Sequence, residues 1–96
     1  MGRDRVLKLL EAHKPRLMCQ FGVLDLALFG SAARDELGPD SDIDILVSFE
    51  GPATAQRYFG VLFYLEDLLD RRVDLVAEKA LRAELRPHIE REAIHV

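Results

Sequence analysis

Residues 28–47 read LFGSAARDELGPDSDIDILV, and the alternation of apolar runs and turn residues in this stretch decides the fold. An apolar run (Leu24, Leu26, Ala27, Leu28, Phe29) stops at Gly30-Ser31. A loop with Gly38, Pro39, Asp40 and Ser41 follows, and the chain then re-enters a second apolar run that carries Asp42 and Asp44. Alternate side chains share one face of a β-strand, so Asp42 and Asp44 are predicted to point one way and Ile43 and Ile45 the other, into a core. Two carboxylates on one face repel, and each raises the other's pKa unless a cation sits between them. Oxygen-only ligands of this kind suit Mg²⁺ or Mn²⁺.

Gly30-Ser31 is the complementary half. Glycine lets a backbone come close to a phosphate. Ser31 offers a hydroxyl and an N–H at the start of a short predicted helix, where anions are favoured. The plainer reading is a strand-to-helix turn with Ser31 as N-cap, and both can hold together. Arg34 follows where a short helix aims it at the same loop. A guanidinium grips phosphate bidentately, although pairing with Asp35, Glu36 or Asp40 competes for it. Ser41 is placed to cap the turn or brace the Asp pair. A phosphate cradle beside metal-binding carboxylates is the layout that phosphoryl or nucleotidyl transfer requires.

Further along, Asp74 sits inside the apolar run VDLV. A carboxylate there is costly to bury without a partner, so it faces either a metal or the open side of a strand. Gly30-Ser31, then Asp42-Ile43-Asp44, then this separate carboxylate resembles the signature of the polymerase-beta-type nucleotidyltransferases. The short length and the wording GSAARDE…PDSDIDILV are similar to the minimal nucleotidyltransferase (MNT) family, the antitoxin half of HEPN–MNT pairs, and the resemblance covers nearly the whole chain. It implies the nucleotidyltransferase fold. It implies that Asp42, Asp44 and Asp74 are catalytic and ligate two Mg²⁺ ions (or Mn²⁺), with Asp74 accepting the proton of the nucleophile. Gly30, Ser31, Arg34 and Ser41 would contact the nucleotide. The implied reaction is attack of a hydroxyl on the α-phosphorus of ATP, with AMP passing to a tyrosine of the partner HEPN toxin (AMPylation). Two other classes compete: a non-catalytic antitoxin that binds its partner through an apolar helix, and a small-molecule nucleotidyltransferase.

Composition sets the bounds. Ninety-six residues, 49% hydrophobic and 31% charged, predict one globular domain over residues 1–96. No apolar run is long enough to span a bilayer, and the N-terminus lacks a signal-peptide h-region, so a cytoplasmic location is expected. A formal charge of −4 argues against general nucleic-acid binding, which needs a basic face. Cys19, alone among Leu17, Met18 and Phe21, reads as a packed core thiol. The histidines have no metal-like spacing.

In chain order, Arg3 to Gln20 carries a helical apolar stripe, with a kink or restart predicted near His13–Lys14 because of Pro15. Val23 to Phe29 is predicted as a strand, Ser31 to Glu36 as a short helix, and Asp42 to Phe49 as the second strand. A long helix capped by Thr54 runs to about Asp70. Tyr58, Phe59, Val61, Leu62, Phe63, Tyr64, Leu65, Leu68 and Leu69 make it greasy around much of its circumference. That excess reads either as core covered by neighbours or as an interface for a partner or a second copy. Val73 to Ala77 is a third strand. Leu81 to Arg91 looks helical with an interruption at Pro87, and Arg82, Glu84, Arg86, Glu90, Arg91 and Glu92 read as its solvated face. Ala93 to Val96 is an edge strand or an irregular tail. The order predicts an α/β (α+β) sandwich with a small mixed β-sheet packed by helices.

Overall fold

The computed structural model describes residues 2–96. Helix α1 (Arg3–Phe21) buries Val6, Leu10 and Leu17. It runs uninterrupted through Pro15, where the sequence predicts a kink or restart. Pro15 removes the partner of the Glu11 carbonyl, but both residues lie on the exposed side, where water replaces the lost bond. Cys19 is exposed rather than packed: two positions beyond Leu17 is about 200° around the helix, away from the buried stripe. Gly22 ends α1 in the left-handed conformation, its N–H donating to the Met18 carbonyl at 3.1 Å.

Strand β1 (Val23–Phe29) is followed directly by α2 (Gly30–Ala33). That helix is shorter than predicted because Asp35 turns to a left-handed φ of 59°. Strand β2 (Ile43–Phe49) begins one residue later than predicted. Helix α3 (Ala55–Leu69) is capped as predicted: the Thr54 hydroxyl accepts from the Arg57 N–H at 3.2 Å. Strand β3 (Val73–Ala77) leads through a single 3₁₀ turn (Glu78–Ala80) to α4 (Arg86–Glu92) and β4 (Ile94–His95). Pro87 starts α4 instead of interrupting a helix from Leu81, because proline at the first turn gives up an N–H that has no helical acceptor.

The sheet order is β3-β2-β1-β4. β2 and β3 are parallel, joined across α3, while β1 pairs antiparallel with both β2 and β4. A bulge between Val23 and Asp25 changes the side-chain parity of β1, so Val23 joins Leu26 and Leu28 in the main core. That core lies under α1 and α3 and includes Ile43, Ile45, Val47, Val61, Leu65, Leu69, Val73 and Leu75. The apolar excess of α3 divides: Val61, Leu65 and Leu69 are buried, whereas Phe59 and Phe63 are 49% and 63% exposed. On the opposite face Ala27, Phe29 and Leu46 form a smaller cluster with Val76, Ile89 and Ala93, the last two brought by α4 and the residue after it. Asp44 and Asp74 emerge on this second face, between buried neighbours that face the main core.

Candidate active site

The site begins where β1 ends. Gly30 has φ 68°, a region open to glycine at little cost. A Cβ placed there would run into the Asp44 carboxylate, with Asp44 Cγ only 3.0 Å away. The turn therefore lies against Asp44, as the pairing of Phe29 with Asp44 across β1 and β2 requires. In the parallel register of β2 and β3, Asp44 stands opposite Asp74. Three neighbouring strands thus bring the glycine turn and two carboxylates into one row.

The electrostatics follow from that row. The Asp44 carboxyl is pushed up to about 6, first by burial and then by Asp74, with which it also shares a hydrogen bond; Asp42 and Glu92 add to the shift. Ion pairs occur elsewhere on the molecule, but among the described residues none involves Asp42, Asp44 or Asp74. Asp42 lies just ahead of β2 and is exposed, so strand alternation does not by itself set its direction. No group of three or more His, Cys, Asp or Glu side chains among the described residues is already gathered at metal-site spacing. The donor chemistry nevertheless fits a hard divalent cation: only carboxylate oxygens, without an ion-pair partner among the described residues, and crowded enough that a cation would favour their charged forms.

Ser31 lies inside α2 and not at its N-cap, a position that falls to Phe29 with no side-chain bond. Arg34 pairs with Glu36 at 3.2 Å, one of the acids that competed for it, and with Glu92 at 2.9 Å. The guanidinium pKa is raised by those two contacts. The sequence places Glu92 on the solvated face of a terminal helix. The structure turns it inward, where Oε1 accepts from the Gly30 N–H at 3.0 Å. Nothing local signals this contact, which spans 62 positions. Ser41 closes its turn: its hydroxyl accepts from the Gly38 N–H at 3.2 Å. Arg71, also missed, donates to the Ser41 carbonyl at 3.1 Å and to the Gly38 carbonyl. A cleft of about 420 Å³ beside this loop is lined by Ser41, Asp42, Arg71 and Arg72 among others. Burial, and then the nearby Asp74 charge, raise the Tyr58 phenol; its hydroxyl donates to the Leu75 carbonyl. The histidines lie elsewhere: His13 bonds Tyr64 and His95 bonds Asp25, each at 2.6 Å.

Residues 10–95 match the family described as nucleotidyltransferase domain. The chain belongs to that family. The nucleotidyltransferase is 39% identical over 93 residues to a protein of Thermococcus cleftensis named protein adenylyltransferase MntA, covering 97% of this chain and 94% of that one. A solved structure assigned as a minimal nucleotidyltransferase superposes with a TM-score of 0.84 at 38% identity, covering 98% of this chain and 95% of the other. A toxin–antitoxin crystal structure with AMP-PNP shares the fold, with a TM-score of 0.70 at 23% identity over 99% of this chain and 72% of that one. No helix among the described residues of this nucleotidyltransferase is long and apolar enough to cross a membrane.

Proposed function

We propose that this nucleotidyltransferase is the antitoxin of a HEPN–MNT pair and transfers AMP from ATP to a tyrosine hydroxyl of the partner toxin. The observation that carries the reading is the Asp44–Asp74 pair, lying uncompensated beside the Gly30 turn. The kinship with a protein adenylyltransferase supports it. In this reading the Gly30 and Ser31 N–H groups and the Ser31 hydroxyl receive the β- and γ-phosphates, with Arg34 as a second contact. Ser41 and Arg71 hold the loop that presents Asp42. The incoming hydroxyl forms a bond to the α-phosphorus, the bond to the pyrophosphate oxygen breaks, and the proton passes to Asp74. Mg²⁺ held by Asp42, Asp44 and Asp74 would supply charge neutralisation for the attacking and leaving oxygens.

Incubation of the protein with labelled ATP, Mg²⁺ and the product of the adjacent reading frame tests this. Label on a tyrosine of that product, lost in Asp42→Asn, is the expected result. No label in any combination removes the proposal. One observation favours a second reading, a docking module without chemistry: the rings of Phe59 and Phe63 stack at 6.1 Å on the exposed side of α3. Toxin inhibition that survives Asp42→Asn but not Phe63→Ser would select it.

A further inference from the structure

The Gly30 N–H and the Arg34 guanidinium are both held by one carboxylate that belongs to neither the turn nor the catalytic row. Glu92 Oε1 takes the first at 3.0 Å and Oε2 the second at 2.9 Å, with a side chain only 23% exposed. Resting on the reading above, in which these same two donors receive nucleotide phosphates, we propose that Glu92 is a built-in occupant of the phosphate position. It fills the position while the nucleotide is absent and swings away when the triphosphate binds.

Two features support displacement over a permanent brace. A backbone N–H has a single hydrogen, so Glu92 and a phosphate cannot both take it in full. The backbone on the C-terminal side of Glu92 is also pinned. Ile94 pairs with Leu28, and the Val96 N–H donates to the Leu26 carbonyl at 3.0 Å. Only the side chain needs to move, and at 23% exposure it already reaches solvent. The contact thus lowers affinity for nucleotide by competition and keeps the glycine turn in shape when the nucleotide is absent.

Calorimetric titration with ATP and Mg²⁺, and separately with tripolyphosphate, tests this on wild type, Glu92→Gln, Glu92→Ala and Glu90→Gln. Glu92→Gln keeps the shape of the side chain and removes its charge, so it covers the case in which the alanine variant folds poorly. Expected is binding roughly fivefold tighter in Glu92→Gln, the effect of weakening one charge-assisted competitor, with the alanine variant at least as tight. Glu90→Gln removes a charge from the same helix without touching Gly30 and is expected to leave affinity unchanged. Equal or weaker binding in both Glu92 variants, with wild type still binding ATP, makes Glu92 a brace and overturns the displacement while sparing the proposed function. Equal tightening in Glu90→Gln reduces the effect to net charge and overturns it as well. Absence of ATP binding throughout removes both proposals.

Discussion

Asp44 and Asp74 face each other in the parallel register of β2 and β3, so the two strands place like charges side by side on a half-buried surface. Directly opposed like charges cost a sheet stability. Burial first, and then that opposed charge, push the Asp44 carboxyl up to about 6, against 3.8 ordinarily.

Between those two values the folded protein holds a proton that the unfolded chain releases. The contribution of Asp44 to metal-free stability is therefore fully present below about pH 4, falls as the pH rises from 4 to 6, and is lost above. Allowing for solvent screening at this incompletely buried group, the loss is about 1 kcal/mol. Asp44→Asn is expected to flatten that part of the profile, raise the neutral-pH melting temperature and abolish transfer. Thermal melts from pH 3.5 to 8 without divalent cations check it; an unchanged profile in the variant refutes it.

Gly30→Ala combines a left-handed φ with a Cβ aimed into the Asp44 carboxylate. We expect a destabilisation of about 2 kcal/mol and loss of nucleotide binding beyond what the lower stability explains. Denaturant melts and nucleotide titration read the two effects separately.

Gly60→Ala should invert the usual rule. In an exposed helix the change gains about 1 kcal/mol, but at Gly60 the new methyl would strike the Phe21 ring of α1, whose Cδ1 lies 2.9 Å away. A net loss of about 1 to 2 kcal/mol is expected. In the Phe21→Ala background the same substitution should cost less or stabilise, a sign reversal that a double-mutant cycle detects.

Arg71→Ala releases the Gly38 and Ser41 carbonyls and with them the loop that leads into Asp42. A stability cost of about 1 kcal/mol with an activity loss roughly tenfold or more is expected, with partial recovery in Arg71→Lys. Equal activity in wild type and Arg71→Ala would show that the loop holds its shape unaided.

Elements with strong local signals were legible residue by residue. Val23–Phe29 and Val73–Ala77 fall where their apolar runs begin and end, and Thr54 caps α3 by a contact three residues away. Errors came where local preference met a non-local environment. Pro15 is tolerated because its side of α1 faces water, and Cys19 is exposed because the core takes a different stripe of that helix. The site shows the same division. Gly30, Asp44 and Asp74 could be singled out from residue type and spacing, whereas Arg71 and Glu92 look like any other surface charges until the chain closes.

From sequence alone came the residue types the chemistry needs, the alternation that sends Ile43 and Ile45 inward, and the order of helices and strands, since each depends on neighbours within a few positions. Strand register and helix packing settled the rest. They put Asp74 beside Asp44 and Glu92 on the Gly30 N–H, thirty and sixty-two positions apart. They also left Asp42 outside the ladder. Contacts at such separations are chosen by the burial of the whole core, which no short stretch of the chain encodes.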